Sequence, residues 1–201
     1  MDTTDSFGKL DYDKIIEDIR KYTMAAVNES RYEHSVRTAQ MCEKLCKKNG
    51  IDPKKGYLCG IAHDMCKKMD DSLLISFASK DNKPISPIEK EKPSLLHGRA
   101  AAVKIRQDFG VDDKDIIEAI ANHTFGGENL CTLAKILYVA DKIEPGRDHV
   151  TKEYTDRLMK LSLDEMVYTV LKENLDYLAK KGKRVHPLTF SFMKELEKNI
   201  K

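Results

Sequence analysis

Apolar residues recur along most of the chain at intervals of three and four, and sustained apolar–polar alternation is missing, so the pattern predicts helices almost throughout. Terminus signals divide them. Ser30 with Glu33 reads as a capping box opening a helix that closes near Gly50, the residue type favoured just past a helix end. Asp52 before Pro53 starts the next, since proline at the first helical position loses no needed hydrogen bond; Tyr57, Leu58, Ile61, Ala62 and Met65 mark its buried face. Ser86-Pro87 with Glu89 opens a short helix that Pro93 ends. A helix from about Leu96 to Asp108 stops at Gly110, and Asp112 caps another reaching about His123. Thr132 caps the apolar stretch from Leu133 to Ile143, which Pro145-Gly146 terminates. Ser162 with Glu165 opens the longest helix, running to Gly182, and a last one follows Pro187. The expectation is an all-α fold of roughly eight to ten helices in a single domain over residues 1–201, with a core over about 30–148 and C-terminal helices over 151–201 packed on it.

Composition narrows the company the chain keeps. At 201 residues it is long enough to bury a sizeable core. Its 35 Lys and Arg nearly balance 33 Asp and Glu, so no global field draws it to nucleic acid or an anionic membrane, and neither is expected as a partner. The densest basic stretch, Lys180-Lys181-Gly182-Lys183-Arg184, reads as a solvated helix end whose cations favour the carbonyl terminus. No apolar run approaches the ~20 residues of a membrane span, and the N-terminus carries no signal-peptide pattern, which points to the cytoplasm. Five cysteines without a CxxC spacing fit a reducing compartment; Cys42 and Cys46, one turn apart, read as small core residues.

Candidate chemistry lies in a few histidines and carboxylates. Six histidines occur, at positions 34, 63, 97, 123, 149 and 186, and an isolated one on a helix is more often structural or solvated than a ligand. Context singles some out. His63-Asp64 closes the helix bearing Tyr57 and Ile61; adjacent helix positions diverge by about 100°, so only side chains of different reach can meet at one ion, as a long imidazole and a short carboxylate do. The alternative is a partly exposed polar pair. Asp141 follows Ala134, Ile136, Leu137, Val139 and Ala140, a buried setting where a carboxylate is costly unless paired, hydrogen-bonded or on a metal. Lys142 is a poor partner for it, because neighbours one position apart do not face each other on a helix. With His34, early in its own helix, these make two imidazoles and two carboxylates on three helices. That mixed set suits iron, manganese, cobalt or zinc better than magnesium or calcium, with positions left for water and a substrate oxygen.

The order His, His-Asp, Asp on successive helices resembles the HD superfamily of metal-dependent phosphohydrolases. Within it the chain resembles the YqeK family, symmetrical hydrolases of diadenosine tetraphosphate. The matching stretches are Arg31-Tyr32-Glu33-His34-Ser35, Ala62-His63-Asp64, Leu95-Leu96-His97-Gly98, Asn122-His123-Thr124 and Ala140 to Asp148, with a Gly182…His186-Pro187 ending; the likeness runs from about residue 12 to about 195. The stretch Glu144-Pro145-Gly146-Arg147-Asp148 is the most specific of these, while Met65-Cys66 departs from the pattern and Lys67 keeps it. The resemblance implies an HD-domain helical bundle that holds a divalent transition metal, iron foremost, on His34, His63, Asp64 and Asp141. It also implies a dinucleoside polyphosphate substrate, split to two ADP by water that the ion activates and Asp64 orients. Lys67, Arg147 and Arg31 are then read as phosphate-binding cations. His97 and His123 are read as phosphate contacts and as proton donors to the leaving nucleotide, a second metal site with a shared carboxylate being the alternative; Thr124 offers a hydroxyl to the same phosphate. His149 and His186 are left as structural or exposed. A nucleotidase or cyclic-dinucleotide phosphodiesterase on the same core, and a regulator that binds nucleotide without turnover, are the rival readings. The oligomeric state stays open, a homodimer included.

Overall fold

The computed structural model describes residues 11–200, so part of the N-terminal stretch on which the absence of a signal peptide was read lies outside the described residues. Within them the chain forms eleven α-helices and no strand: α1 (Tyr12–Ala26), α2 (Glu29–Lys48), α3 (Pro53–Ala62), α4 (Asp71–Ala78), α5 (Pro87–Glu91), α6 (His97–Phe109), α7 (Lys114–Asn122), α8 (Thr132–Ile143), α9 (Lys152–Leu158), α10 (Leu163–Lys180) and α11 (Pro187–Asn199). None is long and apolar enough to cross a membrane. Capping boxes form at Ser86–Glu89 and Ser162–Glu165, Asp52 caps α3 ahead of Pro53, and Gly110 closes α6 in the left-handed conformation.

Other boundaries correct the sequence reading. The second helix opens at Glu29, not Ser30, because the Asn28 side chain takes the Arg31 N–H at 3.0 Å, and asparagine caps as well as serine. Asp113 rather than Asp112 caps α7, accepting from Asp115 and Ile116, and Cys131 rather than Thr132 stands at the cap position of α8. At 20 residues α2, not the 18-residue α10, is the longest helix. Three further helices, α1, α4 and α9, lift the count to eleven.

The pairing of α2 with α3 sets the geometry of everything that follows. The two run antiparallel across a short turn, and small residues line their contact. Gly56 faces Cys42 and Cys46; Gly60 faces Ala39 so closely that an added Cβ would lie 2.4 Å from the Ala39 Cα. Cys42 and Cys46 are fully buried, as a small-residue seam requires. One turn further along this register, His34 of α2 meets His63 at the end of α3. α8 packs on both of these helices as well as on α7 and α10, and it is buried over Leu133, Ala134 and nearly every position from Ile136 to Ile143. α6 lies on α7, and α10 joins the body through α8 and carries α11.

Gly60→Ala is expected to lower stability by about 1–3 kcal/mol, since the clash is with backbone that cannot rotate away. A urea unfolding midpoint equal to that of the unchanged chain would contradict this close approach.

Candidate metal and phosphate site

Three of the four histidines at the centre use one local device. His63 ends α3, His123 ends α7, and His97 follows a 3-10 turn at Pro93–Leu96. Each turns its Nδ1 back to the carbonyl three residues earlier: Gly60 at 2.7 Å, Ile120 at 2.8 Å and Ser94 at 2.7 Å. These carbonyls belong to the last turn of a helical segment, where acceptors lack partners. A carbonyl can only accept, so Nδ1 carries a proton and Nε2 is the nitrogen that faces the centre. His34 is oriented differently, donating Nδ1–H to Glu144 Oε1 at 3.0 Å, and although burial would lower its pKa, Asp141 and Glu144 raise it. Glu144 is 1% exposed and held down to about 2; burial would raise it, but His34, Arg37 and the Gly146 N–H prevail.

Four imidazole Nε2 atoms therefore converge on two carboxylates. His34 and His63 stand 3.2 Å apart at Nε2, with Asp141 Oδ1 at 3.1 and 3.7 Å and Asp64 Oδ2 at 3.8 and 3.6 Å. On the other side of Asp64, His97 and His123 stand 3.0 Å apart at Nε2. Asp64 Oδ1 lies 3.0 Å from the first and 3.9 Å from the second. That oxygen is buried and accepts no hydrogen bond. Burial alone would raise both carboxylates. His63, His97 and Lys67 hold Asp64 well below its usual range, and Lys142, His34 and His63 do the same for Asp141. Burial, reinforced by His97 and His63, pushes His123 well below the usual imidazole value and keeps its lone pair available. Facing imidazole nitrogens at about 3 Å and a buried anion without a donor are unfavourable by themselves and fit divalent cations, which need such donors.

Cations rim this centre. A cavity of about 240 Å³ opens on it, and its lining includes Arg31, Lys67, His97, His123, Thr124 and Arg147. The structure thus brings together every residue singled out for metal or phosphate, while His149 lines a neighbouring cavity and His186 stacks on Phe125. Arg31 Nη1 contacts Asp64 Oδ2 at 2.9 Å, and Lys67 Nζ lies 3.1 Å from His97 Nε2. Arg147 donates from one nitrogen to the Asp141 carboxylate and carbonyl, both at 2.7 Å. Thr124 Oγ1 stands 3.5 Å from His123 Nε2. Gly98 explains itself here, because a Cβ would sit 2.9 Å from the His123 ring.

Two residues were missed and one misjudged. Glu144 orients His34, and Arg37 in turn donates to Glu144 at 2.6 Å; no local signal assigned either a role. Lys142 does reach Asp141, at 3.4 Å. Its ammonium lies over the Tyr138 ring, 3.7 Å from the centroid, and also donates to the His123 carbonyl.

An HD-domain model matches residues 31–146, the stretch that carries all six ligand candidates. The symmetrical bis(5'-nucleosyl)-tetraphosphatase of Bacillus subtilis is 30% identical over 82% of this chain and 88% of its own length. Its counterpart in Halalkalibacterium halodurans is 29% identical over 85% and 90%. A crystal structure from Clostridium acetobutylicum, described as a predicted HD superfamily hydrolase involved in NAD metabolism, superposes with a TM-score of 0.82 at 29% identity, covering 96% of this chain and all of that one. The chain belongs to the HD-domain family of hydrolases, within the group of the symmetrical bis(5'-nucleosyl)-tetraphosphatases.

Glu144→Gln keeps the shape but removes the charge that His34 and Arg37 share. Affinity for the bound metal is expected to fall about 10- to 100-fold, measured by competition with a chelator. An unchanged affinity would mean that His34 needs no orienting partner.

Proposed function

We propose that this chain hydrolyses diadenosine tetraphosphate symmetrically, releasing two ADP. The observation that carries the reading is the convergence of four imidazole Nε2 atoms on Asp64 and Asp141 inside a rim of cations. His34, His63, Asp64 and Asp141 would hold one divalent ion; the nitrogen–oxygen donor set suits iron, manganese, cobalt or zinc, and the family resemblance puts iron foremost. Asp64 Oδ1 with His97 and His123 would hold a second, Asp64 being the shared carboxylate. When bound, such ions polarise a phosphoryl oxygen and make water a competent nucleophile near neutral pH.

The rest falls to side chains of the chain. Arg31, Lys67 and Arg147 stand where four phosphates would otherwise repel the two ligand carboxylates, and their N–H groups offer charge-assisted hydrogen bonds to phosphate oxygens. Thr124 can offer its hydroxyl to the same oxygens. Asp64, kept ionised, can orient an attacking water against a central phosphorus. With Nε2 of His97 and His123 turned to Asp64, the role of these histidines is better described as holding a cation than as protonating the leaving nucleotide. The free thiols suit a reducing cytoplasm.

Diadenosine tetraphosphate incubated with the enzyme and manganese or iron(II) is expected to yield ADP alone on anion-exchange chromatography, with EDTA abolishing turnover. AMP with ATP would contradict symmetrical cleavage. Turnover of cyclic dinucleotides in preference to the tetraphosphate would favour the phosphodiesterase reading.

A further inference from the structure

Two larger cavities share lining residues with the metal cavity. The first, about 660 Å³, shares Asp141, Lys142 and Arg147 with it and extends past His149 and Tyr154. The second, about 810 Å³, shares Thr124 and Lys142 with it and extends past Phe125 to the loop that follows α10. Both volumes fall in the range of small-molecule sites. Lys142, Asn174 and Tyr177 line both and form the partition between them.

Their charges differ. The first cavity sets Asp141, Asp148 and Glu173 against Lys142 and Arg147. The second carries five cations, Lys92, Lys142, Lys181, Lys183 and Arg184, against the single carboxylate of Glu91. The basic stretch at the end of α10 is therefore more than a solvated helix terminus, because it forms one lip of a cavity that shares Thr124 and Lys142 with the metal cavity. The lip is held in place: the Lys183 N–H donates to the Leu178 carbonyl at 2.9 Å, and Arg184 reaches Glu91 at 2.5 Å. The floor is ordered too. Phe125 stacks on His186 at 4.3 Å between centroids, His186 Nε2 meets Ser86 Oγ at 3.1 Å, and Thr189 donates to the Phe125 carbonyl. On the partition, Tyr177 is 58% exposed, with the Lys181 ammonium over its ring 5.9 Å from the centroid.

We propose that this second cavity is a nucleotide arm. It takes one nucleoside diphosphate half of the substrate, with phosphates toward Lys142, Lys181 and Lys183 and the base against the exposed Tyr177 ring, while the first cavity takes the other half. This rests on the dinucleoside polyphosphate reading above. A substrate cut at its middle has similar halves, and each of these two cavities shares lining residues with the centre that would hold the reacting phosphorus. The cationic arm suits the diphosphate of the departing half.

Calorimetric titration of ADP into the metal-loaded enzyme tests the arm. Two ADP are expected per chain, and one for Lys181→Glu/Lys183→Glu, whose KM for diadenosine tetraphosphate should rise about tenfold as two charge-assisted contacts become repulsive. Tyr177→Ala, on an exposed helix face, should weaken ADP by about tenfold through lost stacking. A single ADP on the unchanged chain, or both sites and an unaltered KM in the charge-reversed one, overturns the arm. Two ADP bound with no cleavage of diadenosine tetraphosphate would instead refute the activity and leave the arm standing.

Discussion

An imidazole becomes a reliable ligand only when something decides which nitrogen keeps the proton. Here that decision is made by the backbone. His63, His97 and His123 each return Nδ1–H to a carbonyl three residues earlier, so a helical turn that would otherwise leave an acceptor unsatisfied fixes the tautomer and aims Nε2 at the centre. His34 sits inside a helix where no such carbonyl is available, and Glu144 supplies the acceptor instead. Shift any of these helix ends by one residue and Nε2 points elsewhere.

The packing serves the same constraint. The glycine and cysteine seam between α2 and α3 brings two backbones close enough for His34 and His63 to meet, and larger side chains at Gly56 or Gly60 would part them. α8, buried over most of its length, carries Asp141 into the centre, where an unpaired carboxylate would be costly. Histidines, Lys142 and Arg147 offset that cost in the chain itself. A cation that binds only the folded arrangement would add to its stability by mass action, so folding and metal affinity should be linked.

Much of this was legible in the residues. Serine with glutamate three later, and aspartate before proline, mark helix starts whose signals are local, and the structure places caps at Ser86, Ser162 and Asp52. Where two cap formers lie close together the signal is ambiguous, as with Asn28 and Ser30; α4 follows Asp70, a cap-type residue whose side chain makes no cap bond. The ligand candidates stood out because a carboxylate in an apolar helix and a His-Asp pair at a helix end call for a reason. Glu144 did not, since its meaning depends on Arg37 and His34, 107 and 110 residues away in the chain. Lys142 was discounted by the angular separation of neighbours, a rule that holds for short side chains better than for a four-carbon stem whose ammonium lies over Tyr138. The two oxygens of Asp64, turned to different imidazole pairs, could not be read from a dipeptide at all.

Everything therefore turns on Asp64 as a carboxylate shared between two pairs of imidazoles. Metal content per chain, determined by elemental analysis of the protein and of its Asp64→Asn and His97→Ala variants at matched folding, addresses this directly. Two ions are expected in the unchanged chain, one after His97→Ala, and a severe loss of both after Asp64→Asn. A single ion that persists undiminished through His97→Ala and Asp64→Asn would contradict the shared centre.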